Sequence, residues 1–325
     1  MNTNSINDFI EQLKQIQFDF YKTFGVTDII TNSKIFEVLI ADALDHTLIP
    51  GHSGSRDAKN SAGGEFEYKH YKESSSNHSW TFNDFSNTTI TKLSNAEAVI
   101  FAHIQDVNVS FPKFDWYYEV PGQVMSDYLA QATKKIRNSR KMINVSSRQI
   151  ENNLNLTRQT IKNYNGHYLS WITRIIKIAS KIETATGTKG ILTSNKFWEV
   201  LVALKLNHKV QSEQAKHDAE DNHGNMYEYK VAKGFTWSFQ DISNEVLNKY
   251  LVDKSIILAS VDKNEFLVKK IYSADAKKVV KLLRKKLREK RRRFLSLKKE
   301  IRRKQTSLNL KDLRSIKAML VYPEN

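Results

Sequence analysis

The segment Thr31-Asn-Ser-Lys-Ile-Phe-Glu-Val-Leu-Ile-Ala41 is repeated later in the chain as Thr193-Ser-Asn-Lys-Phe-Trp-Glu-Val-Leu-Val-Ala203. Apolar residues dominate both copies at helical spacing, which predicts one helix over Lys34 to Leu44 and another over Lys196 to Leu206. A repeat of this length inside one chain indicates a duplicated structural unit, because each copy is long enough to specify the same local structure twice.

The similarity extends well beyond this helix. The further pairs are His46 with His208, Asp57 with Asp218, Glu67-Tyr68-Lys69 with Glu228-Tyr229-Lys230, Trp80–Ser86 with Trp237–Ser243, and Leu154-Asn155-Leu156 with Leu308-Asn309-Leu310. We therefore predict two tandem repeats, residues 1–162 and residues 163–325, of which the second carries a long basic helix near its end.

Each repeat is predicted to fold as two helices, a group of short strands, and closing helices. The predicted strands are Glu65–Tyr71, Trp80–Phe82 and Ala98–Ile104, with Met226–Val231, Thr236–Phe239 and Ser255–Val261 as their counterparts. Turn-forming residues precede the first strand of each set, at Gly63-Gly64 and at Asn222–Asn225. The pattern predicts a mixed α/β (α+β) fold in which a hairpin joins each Asp to its Glu-Tyr-Lys strand.

Composition excludes several kinds of chemistry. The 325 residues are 40% hydrophobic and 26% charged, which is a normal globular balance. There is no cysteine, so disulfides, thiolate zinc sites and cysteine nucleophiles are excluded. The first residues do not have the pattern of a signal peptide, and no apolar run approaches the length of a membrane span. These features favour a cytoplasmic protein without a membrane partner.

The net charge of +16 favours a polyanionic partner. Cations that neutralise phosphates release condensed counterions, and this drives binding to nucleic acid. The positive charge is densest between Lys277 and Lys304, where we expect Arg291, Arg292 and Arg293 to contact backbone phosphates without reading sequence. The alternative is that this helix presents a solvated face or packs against the other repeat.

Charged residues that suit hydrolysis are gathered around the Glu-Tyr-Lys strands. Side chains alternate along a strand, so Glu67 and Lys69 share one face, as do Glu228 and Lys230. Nine residues separate the Asp from the Glu in both repeats, although the intervening sequence has changed almost completely. Two carboxylates can bind a hard cation such as Mg²⁺, which activates water, and the Lys can position or deprotonate that water.

These residues resemble the PD-(D/E)xK nuclease superfamily, the fold of many type II restriction endonucleases. The Pro that names the motif is missing, since Arg56 and His217 precede the Asp residues. The resemblance implies two tandem restriction-endonuclease-like domains, each a small mixed sheet flanked by helices, related by a pseudo-two-fold axis. It implies catalytic residues at Asp57, Glu67 and Lys69, and at Asp218, Glu228 and Lys230. It also implies further Mg²⁺ ligands at Glu37 and Glu199, for which the alternative is a simple helix-surface charge.

The expected function is that of a type II restriction endonuclease, in which a single-chain pseudo-dimer hydrolyses double-stranded DNA with Mg²⁺ at two active sites. Such an enzyme would work as a monomer and would have a cognate DNA methyltransferase in the same system. Two alternatives remain open, namely a DNA repair or junction-resolving nuclease of the same superfamily and a non-cleaving DNA-binding protein on that fold.

The remaining paired residues have two interpretations each. Trp80 and Trp237 either pack in the core or stack on bases, and we favour the core. Asn83 and Gln240 are suited to reading adenine edges, but a buried structural hydrogen bond explains them about as well. The histidines of the segment His217–Asn225 superficially suggest a His-Asn-His nuclease motif. Its counterpart around Asp57 lacks the second histidine, so we interpret the segment as a turn.

Overall fold

The computed structural model confirms a mixed α/β fold. It describes residues 3–50, 56–83, 87–109, 111–135, 142–193, 195–211, 216–263, 265–297 and 304–323. Within these ranges the strands form two six-stranded mixed sheets, each flanked by helices, together with two small two-stranded sheets. In the part of the chain that the structure describes, no helix is long and apolar enough to cross a membrane.

The described residues of the first repeat form thirteen elements. They are α1 (Thr3–Phe24), α2 (Lys34–Leu44), β1 (Thr47–Leu48), β2 (Ala58–Lys59), β3 (Glu65–Lys72), β4 (Trp80–Phe82), α3 (Asn87–Ser94), β5 (Ala98–Gln105), β6 (Lys113–Pro121), α4 (Gly122–Lys135), β7 (Ile143–Val145), α5 (Ser147–Leu154) and β8 (Gln159–Thr160). The predicted helix over Lys34 to Leu44 is confirmed at both ends, and the predicted strands are confirmed to within one residue.

The second repeat has the same elements in the same order. They are α6 (Leu169–Thr186), α7 (Lys196–Leu206), β9 (Lys209–Val210), β10 (Ala219–Glu220), β11 (Met226–Ala232), β12 (Thr236–Phe239), α8 (Asn244–Tyr250), β13 (Ser255–Asp262), β14 (Leu267–Asp275), α9 (Ala276–Ser296), β15 (Thr306–Asn309), α10 (Leu310–Ser315) and β16 (Met319–Tyr322). The correspondence is complete among the described residues, so the duplication that the sequence predicts is present in the fold.

The two large sheets have the same topology. The strand order is β1-β2-β3-β5-β6-β8 in the first repeat and β9-β10-β11-β13-β14-β16 in the second. The strand with the Glu-Tyr-Lys sequence is central, and it pairs in parallel with β5 or with β13. Its other neighbour is the short antiparallel strand that follows the Asp. The motif strand therefore has its backbone fixed on both sides.

Two compact units make up the chain, and they do not coincide with the predicted repeats. One unit is Gln15–Lys177, here called the N-terminal unit, and the other combines Met1–Lys14 with Ile178–Asn325, here called the C-terminal unit. Both divisions fall inside a helix, α1 or α6. The segment after residue 162 belongs to the N-terminal unit, where the buried Asp42 accepts hydrogen bonds from the backbone N–H groups of Gly166 and Tyr168 at 3.1 and 2.5 Å.

The core of each unit surrounds a buried tryptophan. Trp80 and Trp237 are both fully buried, and the indole Nε1 of each donates a 2.8 Å hydrogen bond to a strand carbonyl, that of Ala102 or Ala259. The preferred interpretation of these tryptophans as core residues is confirmed, and base stacking by them is excluded because neither ring reaches the surface.

Two details of the sequence interpretation are wrong. Leu154-Asn155-Leu156 does not correspond to Leu308-Asn309-Leu310, because Val145 faces Trp80 in the small sheet as Leu308 faces Trp237. The near-heptad spacing of Val280, Leu283, Leu287, Phe294, Leu297 and Ile301 also predicts an apolar stripe along α9, and its buried part is shorter than this spacing predicts. Val280 and Leu283 are buried, but Leu297 is 51% exposed, and Ile301 lies outside the described residues.

Candidate active sites

In each unit a β-hairpin brings the Asp beside the motif strand, as the turn residues predict. In the N-terminal unit the backbone N–H of Asp57 donates to the carbonyl of Phe66 at 3.0 Å, and Oδ2 of Asp57 accepts from the N–H of Tyr68 at 2.7 Å. The tight turn contains Gly63 at φ 89°, a backbone conformation that favours glycine. The Asp side chain is therefore fixed by the strand that carries Glu67 and Lys69.

Glu67 and Lys69 form an ion pair on the face of β3 that the alternation predicts. Nζ of Lys69 lies 2.5 Å from Oε1 of Glu67 and 5.5 Å from the centre of the Phe82 ring. The other carboxylate oxygen of Glu67 lies 3.4 Å from Nη1 of Arg56. Glu67 thus has a cation on each oxygen, and the aromatic ring shields the ammonium group of Lys69 from water.

Helix α2 adds a carboxylate and a second ammonium group. Lys34 donates a short hydrogen bond to Glu37 one turn later, and its Nζ lies 3.5 Å from Oδ1 of Asp57. Glu37 and Asp57 therefore share one cation. This brings the side chain of Glu37 to the predicted site, and the alternative of an isolated helix-surface charge is wrong.

The electrostatics of the N-terminal site follow from this crowding. Burial, with the nearby charge of Asp57, raises the pKa of Glu37 to about 7. Burial alone would lower the pKa of Lys69, but the carboxylates of Glu67 and Asp57 outweigh it and raise this pKa above its ordinary value. Lys69 therefore remains a charged donor, whereas Glu37 is the group that exchanges a proton near neutral pH.

The C-terminal unit repeats most of these contacts with its own residues, but Lys196 donates to the carbonyl of Gln211 at 3.3 Å where Lys34 contacts Asp57. Oδ2 of Asp218 accepts from the N–H of Tyr229 at 2.7 Å, and Nζ of Lys230 lies 2.6 Å from Oε1 of Glu228. On α7, Lys196 donates a short hydrogen bond to Glu199. All three carboxylates and the strand lysine therefore occupy the same local positions as their counterparts in the N-terminal unit.

The charges of the C-terminal site interact in the same sense. Burial raises the pKa of Asp218 to about 7, with further contributions from the charges of Glu228 and Glu199. The pKa of Lys230 is raised despite burial, because the negative charge of Glu228 outweighs the loss of solvent. In each unit, one of the carboxyls that crowd together holds a proton near neutral pH, and the strand lysine stays charged.

The two sites differ in the second cation on the Glu. In the N-terminal unit it is Arg56, but His217 occupies the matching position in the C-terminal unit and pairs with the buried Asp253 at 2.6 Å. There the second cation is Lys249 of α8, whose Nζ lies 3.2 Å from Oε2 of Glu228 without hydrogen-bond geometry. One local charge balance is thus reached with two different residues.

A histidine supports the motif strand from behind in each unit. Nδ1 of His46 lies 2.8 Å from the Tyr68 hydroxyl, and Nδ1 of His208 lies 2.8 Å from the Tyr229 hydroxyl. Burial lowers the pKa of His46 to about 4, so the ring is neutral at physiological pH. These histidines fix the tyrosines whose backbone N–H groups bind the Asp side chains. They do not contact the charged groups of the sites directly.

The residue types of each site fit a divalent cation. Oxygen-only donors are those that Mg²⁺ prefers. Burial, together with repulsion from neighbouring carboxylates, raises the pKa of Glu37 and of Asp218, and a cation would relieve that repulsion. Oε2 of Glu228 is buried and has no hydrogen-bond partner in the part of the chain that the structure describes. Within the described ranges no three acidic or imidazole groups converge on one point, and in the N-terminal site Lys34 contacts Asp57 while Lys69 contacts Glu67.

Lys34 and Lys196 are the site residues that the sequence analysis missed. Both stand in the repeated segment at the start of a helix, three residues before the Glu, so the repeat itself contained the signal. Arg56 and Lys249 were missed for another reason, since each unit uses a different residue for the same contact.

The predicted DNA-contacting residues lie outside both constellations. Asn83 and Gln240 are exposed immediately after β4 and β12, so the alternative of a buried hydrogen bond is wrong for both. Arg291, Arg292 and Arg293 are exposed on α9. The end of the predicted basic segment, residues 298–303, lies outside the described residues.

We compared the chain with protein-family models and with curated protein sequences, and neither comparison gave a match.

Proposed function

We propose that this protein is a metal-dependent endonuclease that cuts double-stranded DNA, with one site in each unit, in the manner of a type II restriction endonuclease. The observation that carries the proposal is the repetition of one set of contacts. Asp to tyrosine N–H, Lys to Glu, and helix Lys to helix Glu recur in both units. Divergent sequence around a constant geometry is the pattern that selection for chemistry produces.

The residues have distinct roles in the proposed reaction. Asp57, Glu67 and Glu37 would hold Mg²⁺ in the N-terminal site, and Asp218, Glu228 and Glu199 in the C-terminal site. A bound Mg²⁺ supplies charge neutralisation on a phosphate and a lower pKa for water. A divalent cation would compete with the lysines for these carboxylates, so its binding would require Lys34 and Lys196 to turn toward other acceptors.

Lys69 and Lys230 stabilise the negative charge that develops on the phosphate oxygens. Their raised pKa values keep them protonated, so each acts as a hydrogen-bond donor and not as the base that takes a proton from water. In the absence of metal, the carboxyl whose pKa is raised to about 7 is Glu37 in one site and Asp218 in the other, so each would release its proton on binding Mg²⁺.

Incubation of supercoiled plasmid with the protein and Mg²⁺ tests this function. We expect discrete linear fragments with Mg²⁺ or Mn²⁺ and none in EDTA, because carboxylates are the only ligands proposed. The double variant Asp57→Asn, Asp218→Asn is the matched control against a contaminating nuclease, and it should not cut.

Other outcomes of this experiment would overturn the proposal in different ways. Full activity in EDTA would contradict metal dependence. Nicking alone, or a preference for branched DNA, would indicate a repair or junction-resolving nuclease. Binding without any cleavage would indicate a DNA-binding protein on the same fold. A cognate DNA methyltransferase is the partner expected only if discrete fragments form.

A further inference from the structure

The C-terminal unit contains a cationic groove that belongs to neither candidate site. It encloses about 560 Å³ between α9 and α10. Four cations of α9 and one residue beyond α10 line it, namely Lys278, Lys281, Lys285, Arg288 and Lys317. Leu282 and Ile316 form its apolar floor. Its five positive side chains line one space, and a bound anion would relieve their mutual repulsion.

The groove cations differ from the other cations of α9. Lys286 donates to Asp312 at 2.6 Å, and Lys290 donates to the carbonyl of Gln305 at 2.9 Å, so these two hold β15 and α10 against the helix. Among the described residues, the one ion pair made by the groove cations joins the exposed Lys285 and Glu289 at 3.9 Å. The groove cations therefore have little role in holding the fold together.

The N-terminal unit provides an internal comparison. Its helix α4 buries Gly122, Met125, Ser126 and Leu129, and α9 buries Ala276, Val279, Val280 and Leu283 at the same four positions. With that register, the residues that match the four groove cations of α9 are Val124, Asp127, Gln131 and Lys134.

The capping residues of α5 and α10 fix one more match, which pairs Lys317 with Leu154. The formal charge at the five positions is thus +5 in the C-terminal unit. It is zero in the N-terminal unit, where one Asp balances one Lys. Because the same fold forms without these cations, structure alone does not account for them.

The spacing of the row suits a regular polyanion. The four cations of α9 recur every three or four residues, which places them on one helix face over about 15 Å. This is a positive charge about every 5 Å, and duplex DNA offers one phosphate per about 1.7 Å of axis. A phosphodiester backbone can therefore satisfy every cation of the row, whereas a compact anion would contact only some of them.

We propose that this groove binds the backbone of double-stranded DNA away from the cleavage sites, so that the C-terminal unit supplies most of the sequence-independent affinity. The inference rests on the proposed function only in taking duplex DNA as the substrate. Backbone contacts hold a duplex in place without reading its sequence, and the sites in both units then act on DNA that one unit retains.

Binding of a labelled duplex in EDTA, measured by fluorescence anisotropy over about 50–200 mM salt, tests the groove without cleavage. Each phosphate contact adds about 0.9 to the slope of log affinity against log salt. The triple variant Lys281→Gln, Lys285→Gln, Arg288→Gln should lower that slope by about three. It should also weaken the binding of duplexes of unrelated sequence to the same extent. The single variant Lys285→Gln, which changes the surface least, should lower it by about one.

The matched control removes the same charge elsewhere in the C-terminal unit. Lys189→Gln, Lys233→Gln, Lys270→Gln replaces three exposed lysines outside the groove and should leave the slope within about one of the parent protein. An unchanged slope in the groove variants overturns the inference even if the protein cuts DNA. Competition by polyglutamate as strong as that by duplex would overturn the assignment to nucleic acid. A lowered slope in a protein that never cuts would support the groove and contradict the proposed nuclease.

Discussion

At the scale of single residues, the sites are built from carboxylates that are held close together against their own repulsion. Lys34 stands between Glu37 and Asp57, and Lys69 neutralises Glu67, so the protein supplies its own cations where a metal ion would lie. Burial, together with the nearby charge of Asp57, raises the pKa of Glu37 to about 7. Charged groups under this kind of tension are typical of functional sites.

The raised pKa of Glu37 makes stability depend on pH. A carboxyl whose pKa is higher in the folded chain holds its proton more tightly when folded. Its stabilising contribution is therefore complete below pH 4.5 and is lost as the pH rises through about 7. The loss amounts to at most about 3 kcal/mol. Glu37→Gln cannot ionise, so the decline between these pH values should be shallower than in the parent protein.

Urea unfolding in EDTA at several pH values measures this effect. Glu73→Gln, at an exposed carboxyl of the same unit, is the control and should follow the parent protein. A pH profile for Glu37→Gln that runs parallel to that of the parent protein would show that Glu37 keeps an ordinary pKa.

At the scale of elements, the helices that follow the small sheets begin in the same way in both units. The side chain of Ser146 accepts from the N–H of Gln149, and the side chain of Gln149 accepts from the N–H of Ser146. Asn309 and Asp312 make the same reciprocal pair. The two capping residues are chemically different but equivalent in function. This explains why sequence comparison paired the wrong residues here.

Loss of one of these caps should weaken the unit that contains it. Ser146→Ala and Asn309→Ala each remove a side-chain acceptor for a helix N–H, which should lower the free energy of unfolding by about 1 kcal/mol. Ser146→Gly is the comparison, because glycine is a tolerated N-cap and should cost only a few tenths of this. Chemical denaturation measures both, and equal losses for alanine and glycine would argue against the cap.

Much of the fold could be predicted from the sequence because the chain contains its own comparison. The helices over Lys34 to Leu44 and Lys196 to Leu206, and the six principal strands, follow from periodicity that recurs twice. The positions of Lys34 and Lys196 in the sites could not be predicted by the same means. A lysine at the start of a helix is usually solvated, and only tertiary packing brings Lys34 to Asp57 and Lys196 to the carbonyl of Gln211.

The exchange of Arg56 for Lys249 was beyond sequence reasoning for a different reason. In one unit the second cation on the Glu precedes the Asp, and in the other it comes from α8. Residues that replace each other in space but not in sequence leave no aligned signal. The sequence therefore shows that His217 replaces the arginine in the second repeat. It does not show that Lys249 supplies the missing cation.

At the scale of the whole molecule, the two repeats share their candidate active-site residues but differ in their cationic surfaces. Both retain the Asp, the Glu, the Lys and the helix Glu, whereas the row of groove cations belongs to the C-terminal unit and is not matched at the corresponding described positions of the N-terminal unit. Duplication followed by this divergence would leave two cleavage sites and one principal surface for binding the DNA backbone. Cleavage of one strand by each unit therefore requires that both constellations are active.

Plasmid cleavage by single-site variants tests that claim most directly. Lys69→Ala leaves Asp57 and Glu67 in place but removes the proposed donor, and such a loss costs about 10²–10⁴ in rate. Lys230→Ala does the same in the C-terminal unit. Lys72→Ala, on the same strand as Lys69 but paired with Asp106, is the control and should still cut both strands.

We predict that each single variant converts supercoiled plasmid into open circles, that the two variants nick opposite strands, and that the double variant binds without cutting. Double-strand cleavage by Lys230→Ala at the parental rate would contradict the account, because one site would then suffice for both strands. Loss of nicking in either single variant would contradict it differently, by showing that neither site works without the other.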